Sequence, residues 1–294
     1  MKTNHMIMMV IFYLLQVGFT INAQSQLSNI TAISPEGRYS TPIWSPDGQK
    51  LLITNQYYTS LYIIDLTNNN SLNRIKKGKG IGYLANWSPD GRSVVFREKQ
   101  EGSFSKNLKI KSLHLETNKE TILNDVHPDN TNPSMQARSG KNLMVYINSE
   151  TLKLEAKEGL NGKPWVITKE NGQFYHPVVS PNQKFVAVHE GPNIYIYSIY
   201  GNEKRKLLGV GIATSWLSDS SGIITFEDKS NDGHVISASD LYHISKDSSI
   251  KTNLTIATDD IVATWGDVSP DGKRIAFSDE KTGRIFTADL IIKN

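Results

Sequence analysis

Short apolar runs alternate with clusters of polar turn residues along this chain, and no long segment after the first few residues carries the spacing of an amphipathic helix. The apolar runs are Leu51-Leu52-Ile53, Val94-Val95-Phe96, Leu143-Met144-Val145-Tyr146, Phe185-Val186-Ala187-Val188, Ile223-Ile224-Thr225-Phe226 and Ile275-Ala276-Phe277. Each is β-branched or aromatic in character and continuous, which predicts a strand buried on both faces. A strand of alternating polarity comes next, as in Leu61 to Leu66, Ile194 to Ile199 and Arg284 to Leu290. Polar turns such as Thr67-Asn68-Asn69-Asn70 and Tyr200-Gly201-Asn202-Glu203 follow, and a short outer strand such as Arg205-Lys206-Leu207-Leu208 ends the unit.

What precedes each apolar run is a repeated turn. Trp44-Ser45-Pro46-Asp47-Gly48 returns as Trp87-Ser88-Pro89-Asp90-Gly91 and as Val268-Ser269-Pro270-Asp271-Gly272. A weaker copy is Val179-Ser180-Pro181-Asn182-Gln183, and degenerate copies are Ala137-Arg138-Ser139-Gly140 and Leu217-Ser218-Asp219-Ser220-Ser221-Gly222. Pro fixes φ at the first central position, Asp caps the turn through its side chain, and Gly takes a positive φ without steric cost. The turn positions Gly48, Gly91, Gly140, Gln183, Gly222 and Gly272 recur about every 39 to 50 residues, the period of a four-stranded propeller blade. The expected fold is therefore all-β: a six-bladed β-propeller of four-stranded blades. The last repeat supplies strands only from about Thr264 to Leu290, and Ser28 to Ile33 precedes the first turn without a blade of its own. An N-terminal strand completing the last blade would close the ring and remove two exposed edges.

The W-S-P-D-G turn, the apolar strand behind it and the later I-Y-x-x-D strand resemble the repeats of the TolB-like propeller family over nearly the whole of residues 24–294. The resemblance implies a propeller and, from TolB itself, a periplasmic protein that binds envelope partners. Only the propeller part is matched. TolB carries an α/β domain ahead of its propeller, and about twenty residues separate the apolar leader from the first repeat here. Such repeats also resemble propellers attached to prolyl-oligopeptidase hydrolases, but the chain ends at Asn294 without a G-x-S-x-G nucleophile elbow, so that activity is not expected.

Lys2 and His5, the apolar run from Met6 to Leu15 and the small residue Ala23 describe a signal peptide over residues 1–23, with one propeller domain over 24–294. The apolar run is shorter than the roughly 20 residues of a spanning helix. A periplasmic or secreted protein, monomeric and without a transmembrane segment once mature, is expected. There is no cysteine, which excludes disulfides, thiolate metal sites and a cysteine nucleophile. The net charge is +3 and evenly spread, without the basic stripe of a nucleic-acid binder. Arg74, Lys76, Lys77 and Lys79 are clustered, and read as protection of an outer strand edge rather than a polymer-binding patch.

Function is expected on the face opposite the S-P-D-G turns, where the loops Lys99 to Asn107 and Asp228 to Ser239 are longest. Tyr39, Tyr83, His127, His176, Asp260 and Trp265 stand near the starts of inner strands and are the candidates to ring the channel mouth. Asp228, Ser230, Asp232 and Gly233 fit the opening of a calcium loop, but Ser239 stands where a bidentate Glu is needed, so a polar hairpin is favoured. The scattered histidines, among them His176, His189, His234 and His243, form no H-E-x-x-H pair. Trp44 and Trp87 hold the repeat's core position, from which Trp165, Trp216 and Trp265 depart. No catalytic constellation and no cofactor motif is present. The expected function is protein or peptide binding at the loop face or channel mouth. The alternative is a carbohydrate-active propeller, a lyase or glycan binder, using the same mouth.

Overall fold

The computed structural model describes residues 25–99, 108–123, 143–148, 150–159, 162–201, 203–230, 232, 235–256, 258 and 260–293. They form six antiparallel sheets with no helix among the described residues, the arrangement of a six-bladed β-propeller. Blade 1 comprises β2 (Tyr39–Trp44), β3 (Lys50–Asn55), β4 (Ser60–Asp65) and β5 (Ser71–Lys77). Blade 2 comprises β6 (Asn86–Trp87), β7 (Ser93–Lys99), β8 (Leu108–His114) and β9 (Glu120–Ile122). In blade 3 the described strands are β10 (Leu143–Ile147), β11 (Leu154–Glu158) and β12 (Trp165–Val166). The turn expected at Ala137 to Gly140 lies outside the described residues. Blade 4 holds β13 (Phe174–Val179), β14 (Phe185–Glu190), β15 (Asn193–Ser198) and β16 (Lys206–Val210). Blade 5 holds β17 (Ile212–Trp216), β18 (Gly222–Ser230), β19 (Ile236–Ser245) and β20 (Lys251–Asn253).

Blade 6 closes the ring as the sequence implies. Its strands β21 (Ala263–Val268), β22 (Arg274–Asp279) and β23 (Arg284–Ile291) are completed by β1 (Gln26–Ala32), in the order β1-β23-β22-β21. Leu27 pairs with Leu290 and Ala32 with Phe286. The Ser34 hydroxyl accepts the amide of Ile285 at 2.9 Å, and Arg284 Nε donates to the Ser34 carbonyl at 3.0 Å.

The core lies between blades, not inside them. Leu52, Leu61, Trp87 and Phe96 join blades 1 and 2; Val145, Leu154, Val188 and Ile199 join blades 3 and 4; Ile224, Leu241, Ile275 and Phe277 join blades 5 and 6. A strand sandwiched between neighbouring blades is buried on both faces, which is why the second strand of each blade is a continuous apolar run rather than an alternating one.

The turn chemistry is more economical than the sequence motif conveys. Ser45 Oγ donates to Asp47 Oδ1 at 2.6 Å and accepts the Lys50 amide at 2.9 Å, while Asp47 Oδ1 also accepts the Gln49 amide at 3.0 Å. Ser88 with Asp90 and Ser269 with Asp271 repeat the pair at 2.6 Å. The Ser hydroxyl bond is the main reason the Asp90 and Asp271 carboxyls titrate below their ordinary value. The fifth repeat needs a correction of register. The amide of Ser220 bonds the Leu217 carbonyl at 2.9 Å, as Gly48 bonds Ser45 at 2.9 Å, and Ser220 takes φ of 64°. Ser220, not Gly222, is thus the turn position, and Trp216, not Leu217, is the counterpart of Trp44.

Candidate functional site

Three residues before the last position of the inner strand, the backbone steps out of register. Thr41, Leu84, His176 and Trp265 precede Trp44, Trp87, Val179 and Val268 by that interval, and their φ values are 54°, 59°, 49° and 51°. The pairing shifts at this point in β2, β13 and β21, between Ser40 and Ile43, Tyr175 and Val178, and Thr264 and Asp267. A bulge leaves its extra residue unpaired and re-aims its side chain. Here the same left-handed conformation, present in blades 1, 2, 4 and 6 among the described residues, places one residue of each of these blades at a shared cavity. Non-glycine residues held in the left-handed region cost roughly 1–3 kcal/mol each and persist where the surroundings over-determine them.

The second strands supply the support. His189 and Ser278 each stand ten residues beyond the inner-strand end, at Val179 and Val268 respectively. His189 Nε2 accepts the amide of Ala213 in the next blade at 3.2 Å, and Ser278 Oγ accepts the amide of Thr41 in the next blade at 3.0 Å. Thr54 and Arg97 hold the same place in blades 1 and 2. Trp44 anchors the floor: its amide donates to Asp267 Oδ2 at 2.8 Å and its indole to the Asp267 carbonyl at 2.9 Å.

The bulged residues wall a cavity of about 290 Å³ on the face opposite the S-P-D-G turns. Thr41, Leu84, His176 and Trp265 line it together with the apolar Ile43, Pro177, Val178 and Ile212, the rings of Tyr58, Tyr83 and Tyr175, and the polar Thr54, Asn86, Thr214 and Asp267. The aromatic groups touch one another. Tyr58 meets Tyr83 edge-on at 5.5 Å, His176 meets Trp265 edge-on at 5.9 Å, and Tyr175 stacks on His189 at 4.9 Å. Burial lowers the pKa of His176, an effect opposed by its backbone contact with Ala213. His189 is pushed down to about 4, first by burial and then by the neighbouring His176. Both imidazoles are therefore neutral at pH 7, and Nε2 of His176 is buried without a hydrogen-bond partner. At the other mouth, Pro46, Pro89, Pro181 and Pro270 of the repeated turns surround a second cavity with Asn182, Ser218, Asp219 and Ser220.

Of the residues singled out in the sequence, Tyr83, His176 and Trp265 line the first cavity together. Tyr39 does not line it; its ring packs edge-on against Tyr62 at 5.3 Å. Asp260 is exposed and pairs with Lys281 at 3.2 Å. His127 lies outside the described residues. Asp228 to Ser239 is largely hairpin rather than loop, since Asp228 pairs with Ser239 and Lys229 with Ala238. Asp232 Oδ1 there accepts from Ser230 Oγ at 3.1 Å and from the Val235 amide at 2.9 Å, which is turn capping. Among the described residues no group of three or more His, Asp or Glu side chains is placed to hold a metal ion. Thr41, Leu84 and Tyr58 went unnoticed in the sequence, although the constant interval back from Trp44 and Trp87 marks the first two.

The all-β ring of six blades defines the protein as a β-propeller, and its arrangement is that of the TolB-like propellers. No family model matches the sequence. No curated protein matches it either. Among solved structures it is similar to TolB from Acinetobacter baumannii, at 17% identity and a TM-score of 0.56 over 74% of this chain and 54% of that one. It is similar also to a putative TolB from Agrobacterium tumefaciens, at 15% identity and a TM-score of 0.54 over 92% of this chain and 99% of that one. An oligogalacturonate lyase in complex with manganese matches at 15% identity and a TM-score of 0.51, over 92% of this chain and 97% of that one. The chain spans about half the length of the Acinetobacter TolB. At these identities the likeness is one of fold. Among the described residues no helix is long and apolar enough to cross a membrane.

Proposed function

We propose that the protein is an exported binding module, periplasmic or secreted, that holds a protein or peptide segment at the loop-face mouth of its channel. The cavity carries this reading. It is concave, walled mostly by apolar and aromatic groups, and lined by residues held in left-handed backbone conformations. Small apolar pockets with a few fixed polar groups are suited to anchoring single side chains of a partner. Export rests on residues 1–23, and N-terminal sequencing of the mature protein tests it, with Gln24 as the expected first residue.

The alternative occupant is a carbohydrate, since Trp265, Tyr83 and Tyr175 offer ring faces to a sugar as readily as to a side chain. Selection from a displayed peptide library, beside a panel of neutral and acidic oligosaccharides, separates the two. Peptides that bind with one-to-one stoichiometry, and no longer bind when Tyr83 and Trp265 are both changed to Ala in a protein that still melts cooperatively, support the proposal. Oligosaccharide binding lost in the same variant, with no peptide enriched, replaces it with the carbohydrate reading.

A further inference from the structure

Two arginines, Arg38 just ahead of β2 and Arg97 in β7, rest on tyrosines of the loops in blades 1 and 2. The Arg97 guanidinium carbon lies 4.2 Å from the ring centre of Tyr83, and Arg97 Nε donates to the Tyr83 carbonyl at 3.3 Å. Arg38 donates to the Tyr57 hydroxyl and lies 5.5 Å over that ring. Tyr83 lines the cavity, and Tyr57 adjoins Tyr58, which lines it too. Among the described residues neither guanidinium pairs with a carboxylate, whereas Arg205 pairs with Glu190 at 2.8 Å.

Arg97 is the more informative of the two. It stands at the second-strand position that Thr54 takes in blade 1, and Thr54 is part of the cavity wall. Burial makes the charged form of Arg97 harder to hold, an effect that Tyr83 offsets in part. A guanidinium has five N–H donors. Among the described residues one is used here, in a long bond to a carbonyl. A partly desolvated cation with idle donors is left short of partners unless an anion completes it. Glu98, next to Arg97 in the chain, is already committed to Lys76 and Lys111, and the carboxylates around the cavity are committed too. Glu280 accepts from Gln56 at 3.1 Å and from Thr264 at 3.0 Å, and Asp267 accepts from Trp44.

We propose that Arg97 and Arg38 form a carboxylate-binding rim to the cavity, so that its occupant is an acidic peptide with an apolar or aromatic residue seated inside. This rests on the peptide reading above and deepens it. The apolar walls favour a peptide over an acidic sugar, which has little apolar mass to fill them. The planar fork of each guanidinium matches a carboxylate in two-point contact, and stacking on tyrosine keeps that fork oriented.

The test is fluorescence anisotropy with four probes: an acidic hexapeptide with one central tryptophan, its Asn/Gln counterpart, an acidic hexapeptide with alanine at the centre, and a short oligogalacturonate. The first is expected to bind roughly 10- to 100-fold more tightly than the second and third, with an advantage that shrinks as salt rises. Arg97→Gln should erase most of the preference for acid over amide, and Arg97→Lys should restore part of it; Arg38→Gln gives an independent reading if either variant folds poorly. Equal binding of acid and amide peptides, still lost in the Tyr83→Ala, Trp265→Ala protein, overturns the rim and leaves the peptide reading standing. Binding of the oligogalacturonate alone overturns both.

Discussion

The indole Nε1 of Trp216 donates to the backbone carbonyl of Val178 in the preceding blade at 2.8 Å. Trp87 does the same to Ile43 at 3.0 Å, and Trp44 to Asp267 at 2.9 Å. Three blades thus use one device: a tryptophan at the end of the inner strand, tying its blade to the carbonyl beside the equivalent position of the blade before. Trp216 is almost wholly buried. Trp216→Phe keeps a ring but removes that bond between blades, and should lower stability by about 0.5–1.5 kcal/mol. Trp216→Ala adds a cavity and should cost about 3–5 kcal/mol. Urea unfolding measures both, and a Phe variant as stable as the parent would show that the indole bond contributes nothing beyond packing.

Ring closure is the second test. Ile33 is buried, and Leu27 and Ile30 pack on the blade 5 and 6 core. Deleting residues 25–33 strips blade 6 of its outer strand and exposes the edge of β23. The loss should exceed that of any single core truncation, more than about 5 kcal/mol, and lower the melting temperature by about 10 °C or more. A truncated protein melting with the parent would mean that β1 is not part of the folded unit.

Acid should weaken the fold through its buried histidines. His189 titrates at about 4 in the folded protein, and burial lowers His176 and His243 as well. In the unfolded chain a histidine titrates near 6.5. Between these values the unfolded state binds more protons than the folded one, so stability is full above about pH 6.5 and falls as pH drops toward about 4. His189 alone accounts for about 3 kcal/mol by the bottom of that window. His189→Gln removes the titration yet keeps an acceptor for the Ala213 amide. Urea midpoints between about pH 7.5 and about pH 4.5 should slope less in the variant; parallel slopes would exclude His189 as a source of acid sensitivity.

The blade count, the closure and the turn chemistry were all readable in the residues, because Ser, Pro, Asp and Gly hold their turn positions for local reasons that a single copy reveals. The fifth repeat misled for the same reason in reverse. Leu217 to Gly222 lacks the Pro, and its Gly stands two positions past the turn, so only the hydrogen bond from Ser220 to Leu217 and the partner of Trp216 settle the register. The cavity was half legible. Tyr83, His176 and Trp265 stood out by type. Thr41 and Leu84 did not, because their role comes from a left-handed backbone conformation and neither residue has the glycine-like chemistry that would announce a positive φ. Arg97 was invisible for a different reason: its partner Tyr83 is fourteen residues away, and only the pairing of β6 with β7 brings the two together.

The left-handed backbone of the lining can be tested at Leu84, whose φ is 59° and which is half-buried at the cavity wall. An L-residue in the left-handed region is strained by roughly 1–2 kcal/mol, and glycine is free of that strain. Leu84→Gly should therefore recover in backbone relief much of what it loses in burial, and leave stability within about 1 kcal/mol of the parent. Leu52 offers the contrast: it is buried at 1% exposure in ordinary strand geometry, so Leu52→Gly should cost at least the roughly 2–5 kcal/mol of a core leucine truncation. Unfolding in urea compares the two directly. Near-equal losses would mean that the turned-out backbone at Leu84 carries no strain. The expected gap would establish that the protein holds its cavity lining in a conformation the side chains alone would not choose.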